Sequence, residues 1–493
     1  MKEKSLKEGM MNTTIQSLQL FYGIQVPKEE KKAIELCLQE SNKGNKFAEA
    51  LRNYHGWEME INKEKSLKLF SYYFKSTKNV PESKVERSYC LYFLSLMYKE
   101  RKESNNKKNT KNSEKLLMKS VKMENPLAIY FYSVKKLIEN KIAKGLEYLN
   151  KAVEMNYSSA INFLATICFE GRYLQKNIKK SIELFEKAVE LNDTVSMNTL
   201  AEIYLMGKEG IEKNKLQSIL LYETAIDLND PVAMFNLGET YIQGRGDVKH
   251  NEKRGIELLE KSSQMNHLNS INNLGIYYLQ GSVVHKNINK GIEMLERAVQ
   301  MNHINTIKNL SKIYFHGTYD VDKNYKMALE LLLKASQMKD IDSIRNLAKI
   351  YLNGKYNIEK NIEKAVQNFE ISSRMGDSQS LFELAKIYHN GNEMIDVDLD
   401  KSAFYYYKCY KLNKKKRFES LLILKKNFKQ NKINWREEFH LFWMSTPELN
   451  NQIIAILLSS KHRKESKMES VRKYLVKGIS KNIIKFLCHL KQK

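Results

Sequence analysis

Four asparagines, Asn236, Asn273, Asn309 and Asn346, recur at intervals of 36 to 37 residues. A carboxamide carries both a hydrogen-bond donor and an acceptor. Such a ladder along one surface could pair with the backbone of an extended peptide; equally, the column could pack one helix against the next. A second chemistry is offered by cation clusters near the C-terminus: Lys414, Lys415, Lys416 and Arg417, then Lys461, Arg463 and Lys464 around His462. Residues 401–493 hold 23 Lys/Arg against 6 Asp/Glu, a net +17 of the chain's +25. Lysine is abundant throughout, so a compositional bias accounts for part of this. An acidic partner is the other reading, and contacts to nucleic-acid phosphates would weaken steeply with salt. Other chemistry finds no constellation. His316 and His389 stand before loop glycines, His250 and His285 lie in loops, and His440 sits among aromatics, with no spacing that gathers metal ligands. Phosphate-binding glycine loops, nucleophile elbows and HExxH motifs do not occur. The chain is expected to be non-enzymatic, with no cofactor and no metal.

The elements that would carry the asparagines are set by a repeat. Glycines stand at 171, 207, 244, 281, 317, 354 and 391, and a tyrosine precedes most of them by three residues, from Tyr204 to Tyr388. A fixed period of this size is one supersecondary unit stacked many times. In residues 269–302, Ile271, Leu274, Tyr277 and Tyr278 follow helical spacing, and Gly281 is suited to end that helix in a left-handed conformation. A polar loop leads to a second amphipathic helix with Leu295 and Ala298, closed by Asn302. Beside the leucine column, Ala165, Ala201, Gly238, Gly275, Ser311, Ala348 and Ala385 are all small, which lets two helices approach closely.

These columns resemble the Sel1-like repeat, a relative of the tetratricopeptide repeat, over seven units in residues 156–411. The resemblance implies an all-α fold: an α/α superhelical solenoid of antiparallel helix pairs, right-handed, with a concave groove. It further implies a protein–protein interaction scaffold or adaptor, with a protein segment held in the groove. The sequence departs from the family at the closing glycine. Asn192, Asn229, Asn266 and Asn302 tolerate the required conformation, whereas Lys339 has no such preference.

Upstream, residues 46–155 read as degenerate helical repeats: Ala50 to Phe74, then Tyr89 to Met123 with a polar insert at 101–112, then Ala128 to Met155. Residues 1–45 read as an N-terminal cap. The pattern stops near Leu412, and residues 412–493 read as a basic helical C-terminal module. There Trp435, Phe439 and Trp443 cluster, and Ile453 to Leu458 is too short an apolar run to span a membrane. This module would cap the array or dock a second partner; nucleic-acid or anionic-surface binding through it is the alternative function. No apolar stretch follows the opening MKEKSLKEGM, and the five cysteines form no CxxC pair. An intracellular, cytoplasmic protein is the expectation.

Overall fold

The computed structural model describes residues 13–100, 107–392 and 394–412. The calls on 413–493, including the C-terminal module and its cations, lie outside the described residues. The chain divides into two units, Met1–Leu331 and Leu332–Lys493, with the division falling inside the helix Tyr325–Gln337. The described residues are helices and turns, with two isolated β-bridges in place of any strand. This is the all-α arrangement of helix pairs that the periodicity predicts.

In the first unit the repeats from Pro126 onward are built from two helices of 13 residues, as in Leu268–Gln280 and Ile288–Gln300, whereas the helices upstream vary in length. The two are joined by a turn made twice over. The first helix ends on a left-handed glycine, Gly281 at φ 68°. The second begins at an asparagine that bonds in both directions. Asn287 Oδ1 accepts from the Lys290 amide, and the Asn287 amide donates to the Tyr278 carbonyl at 2.8 Å. Asn177, Asn214, Asn251 and Asn324 repeat this pair of bonds with Cys168, Tyr204, Tyr241 and Tyr314. The tyrosine column is therefore tied into the fold by its carbonyls. An asparagine cap contributes about 1 kcal/mol of helix stability.

The second helix closes with a left-handed residue, Asn192, Asn229, Asn266 or Asn302 at φ 54–62°. The next amide then reaches back to the small column of that helix, Asp193 to the Ala188 carbonyl and Asp230 to the Ala225 carbonyl. These bonds satisfy carbonyls that the helix end would otherwise orphan.

The two helices of a repeat cross at the small column. Where both positions are glycine the backbones nearly touch: a Cβ on Gly291 would lie 2.9 Å from the Gly275 oxygen, and one on Gly255 2.8 Å from the Gly238 oxygen. Where serine is allowed, it bonds across the crossing, Ser181 Oγ to the Ala165 carbonyl and Ser311 Oγ to the Ala328 carbonyl, both at 2.8 Å. The upstream pairs use the same device, Ser66 onto Ala50 and Ser113 onto Ser95. Even Thr13–Tyr22 and Glu30–Asn42 are joined this way, by Ser17 Oγ on the Ala33 carbonyl. One element differs from the sequence reading. Helix Lys107–Lys122 begins inside the polar insert expected at 101–112, because that stretch of Lys and Asn holds no Gly or Pro to stop a solvated helix from extending.

The second unit repeats the scheme in Ile341–Asn353, Ile362–Arg374, Ser378–Asn390 and Leu399–Leu412. Ser402 Oγ bonds the Ala385 carbonyl at 2.8 Å. Lys339 adopts φ 64°, so the turn keeps its form even with lysine there. Gly391 ends its helix at φ 63°, ψ −179°, an extended conformation open to glycine alone.

Candidate functional site

The N-terminal segment after helix Thr13–Tyr22 does not continue along the array. It crosses to turns more than 130 residues away and lies against them as an irregular segment, with Gly23 and Gln25 at φ 65° and 66° on either side of a single bridge residue. Ile24 forms an antiparallel bridge with Tyr157. The Gln25 amide donates to the Asn156 carbonyl, and the Ser158 amide donates to the Gly23 carbonyl, each at 3.0 Å. One repeat further on, the Lys28 amide donates to the Leu191 carbonyl, and Asn192 Nδ2 donates to the Lys28 carbonyl at 3.2 Å. Lys28 Nζ then pairs with Asp193 Oδ2 at 2.8 Å. Asp193 is 2 % exposed and uses its other oxygen to cap the Ser196 amide. Gly23 is required: at φ 65° it has no room for a Cβ, which would fall 2.7 Å from Ser158 Oγ.

Side chains fill in behind this segment. Tyr22 is surrounded by Tyr54, Tyr89, Tyr92 and Tyr157, and burial first, then these phenols, push its pKa well above the usual value. Its hydroxyl lies 3.2 Å from His55 Nε2. His55 stacks on Trp57 with centroids 4.6 Å apart and meets Phe21 at 5.0 Å. Burial among these rings pushes the imidazole down to about 4, so it is neutral at pH 7.

Further along the first unit, the corresponding face is polar. The predicted asparagine column is only partly a ladder. Asn273 Nδ2 donates to Glu239 Oε1 at 3.0 Å, and Asn309 Nδ2 donates to Asn272 Oδ1 at 3.2 Å. Asn272 donates to Asn273 Oδ1 and accepts from Thr306 Oγ1. Glu239 is 5 % exposed and also accepts from the Tyr277 hydroxyl and from Gln243. Burial and the adjacent Glu239 carboxylate push the Tyr277 phenol up. The result is a continuous amide and carboxylate chain across three repeats. Asn236 is half-buried beside it, and Asn346, in the second unit, is exposed. Lys414, Lys415, Lys416, Arg417, Lys461, Arg463 and Lys464 lie outside the described residues.

On the first helices Thr194–Met206 and Pro231–Gln243, Val195, Met206 and Val232 are exposed apolar side chains. Val232 precedes Asn236 by one helical turn, and Met206 follows Glu202 by one, so each pair shares a face. Glu202 is held by Arg245 of the next repeat's turn at 2.7 Å. The sequence reading missed the crossing of the N-terminal segment, His55 and the Glu239 network. Of these, only Gly23 left a mark in the sequence, as a glycine directly after helix Thr13–Tyr22. Among the described residues no group of three His, Cys, Asp or Glu side chains could hold a metal, and no helix is long and apolar enough to cross a membrane.

The family profile described as the Sel1 repeat matches residues 20–45, 127–157, 158–193, 194–230, 231–267, 269–303, 308–340, 341–377 and 378–412. Among solved structures, a Sel1 repeat protein from Oxalobacter formigenes is 20% identical, covering 50% of this chain and 99% of its own, with a TM-score of 0.42. A protective antigen of uropathogenic Escherichia coli strains, displaying an SLR fold, is 18% identical over 86% of this chain and 93% of its own, with a TM-score of 0.38. Yeast Tom70 is 12% identical over 88% of this chain and 98% of its own, with a TM-score of 0.39. A search of curated proteins finds no match. The profile matches span more than half of the sequence and fall on the observed helix pairs, and the chain accordingly belongs to the Sel1 repeat family.

Proposed function

We propose that the chain is a non-enzymatic scaffold whose first-helix face, over residues 194–316, holds an extended segment of a partner protein. Sel1 repeat proteins generally mediate protein–protein interaction, and the family is typically non-enzymatic. What supports the finer reading is intramolecular: residues 23–28 already lie on the turns at 156–158 and 191–193. Their amides and carbonyls are read by turn backbone, and their lysine by a capping aspartate. The next turn repeats the parts, with left-handed Asn229 and the capping carboxylate of Asp230, which bonds the Val232 and Ala233 amides. A bound segment would gain backbone hydrogen bonds from the turns and apolar contact with Val195, Met206 and Val232.

The test is site-specific photocrosslinking in cells of origin, with a photoreactive residue at Asn236 or, as a control on a second helix, at Leu216, which is 75% exposed. The reading expects discrete protein adducts at Asn236 and few at Leu216. Adducts at Leu216 with none at Asn236 would refute it. The net +17 of residues 401–493 supports a second contact with an acidic partner. Removing that charge at Lys461, Arg463 and Lys464 is expected to weaken capture of an RNA probe in low salt without changing the Asn236 adducts.

A further inference from the structure

A cavity of about 510 Å³ opens between the C-terminal ends of helices Lys63–Ser76 and Lys107–Lys122 and the flank of Lys84–Glu100. Its walls carry five cations, Lys75, Lys78, Arg87, Lys119 and Lys122, while Phe74, Leu91 and Met123 supply apolar surface. Among the described residues no carboxylate lines it. The ion pairs of this region run from Lys68–Glu64 to Lys135–Glu114 and include none of the five. The buried carboxylate beside Arg87, that of Glu86, is taken by the Tyr73 hydroxyl.

Two helix C-termini point here, and lysines in a last turn do complement the helix dipole. Each terminus amounts to about half a negative charge, so the pair offsets about one of five positive charges. The remaining excess is mutually repulsive, and among the described residues no carboxylate pairs with it. Arg87 is nonetheless held in place. Nη1 donates to the Lys78 carbonyl at 2.9 Å, and the guanidinium lies 4.9 Å from the Phe74 ring centroid. Its Nε is buried without an acceptor.

We propose that this cavity binds a small phosphate ester with an apolar or aromatic body, of the size and charge of a nucleoside polyphosphate. The phosphates would sit among Arg87, Lys119, Lys122 and the two lysines of the opposite wall. The body would lie against Phe74, Leu91 and Met123. The volume is within the usual range for small-molecule sites.

Calorimetric titration of the full chain with ATP and, separately, with inorganic tripolyphosphate in 150 mM salt tests this. Two variants remove equal charge: R87Q/K119Q in the cavity and K461Q/R463Q far along the sequence. A third, K119Q/K122Q, changes only exposed side chains and guards against misfolding from the loss of Arg87. Saturable ATP binding is expected, weakened about tenfold or more by either cavity variant and less than about twofold by the distant one, with tripolyphosphate weaker than ATP. Absence of saturable binding, or equal weakening by cavity and distant variants, overturns the site. Equal affinity for ATP and tripolyphosphate overturns the apolar body.

Discussion

Lowering the pH from 7.5 to 5 should loosen the N-terminal segment through one side chain. His55 is neutral in the folded chain because burial between Trp57, Phe21, Tyr54 and Phe93 holds its pKa at about 4, against 6.5 for an ordinary histidine. The unfolded chain therefore binds more protons between these values, and stability falls as pH drops through 6.5 and levels off below about 4. Integrating between pH 7.5 and pH 5 gives a loss of about 2 kcal/mol from this residue alone. His267 and His303 shift the same way, each by burial, so the total fall exceeds the contribution of His55. The clean measurement is a difference. In a background with Trp435→Phe and Trp443→Phe, the sole tryptophan is Trp57, stacked on the imidazole. Urea unfolding followed by its fluorescence, at pH 7.5 and pH 5, is compared with the same chain carrying His55→Phe, which keeps a ring in the stack. The wild-type side chain should lose about 2 kcal/mol more than the variant. Parallel pH dependences would refute the reasoning, because they would mean that the imidazole is solvated in the folded chain.

Lys28→Met should cost about 1–2 kcal/mol in the same assay, because it leaves the Asp193 carboxylate without its cation, and a double-mutant cycle with Asp193→Asn should recover most of the loss as coupling. Two serines of one column should respond with opposite signs: Ser181→Ala should lower stability by about 1 kcal/mol, since its hydroxyl bonds the Ala165 carbonyl, whereas Ser218→Ala should raise it by about 1 kcal/mol, since that buried hydroxyl has no partner. Thermal melts of the two single variants decide this. Lys339→Gly should stabilise its turn by about 1 kcal/mol, because lysine there holds φ 64°; an unchanged melting temperature would count against a strained turn.

What could be read from the sequence was conformational constraint. A left-handed helix end demands glycine or asparagine, and that demand printed the column from Gly171 to Gly354 and the closing asparagines. The crossing demands small residues, and Gly238, Gly275 and their neighbours showed it. Asn177, Asn214 and Asn251 are under equal constraint as caps, but they stayed hidden because Asn is common throughout this chain and no second residue type marks the cap. The asparagine column from Asn236 to Asn346 was legible as a column. Its members nonetheless differ, since Asn273 is spent on Glu239, Asn309 on Asn272, and Asn346 is exposed.

The crossing of residues 23–28 was the least legible feature, and the reason bears on how partners would be recognised. Its contacts on Asn156, Ser158 and Leu191 are to backbone groups, which every residue type provides, so no side-chain pattern announces them. A binding face made of turn carbonyls and amides is by construction the same in each repeat and cannot by itself choose between peptides. Selection must come from side chains that break the period. Lys28 meets Asp193, but the repeats two and three units on place His267 and His303 where the aspartate stands. Glu202 is claimed by Arg245, and Glu239 by neutral donors only. A cationic side chain of a bound segment would thus find a capping carboxylate at Asp230 and none at the following two turns. On the proposed reading, the repeat would supply the track, and its irregular positions would set the register of a bound segment.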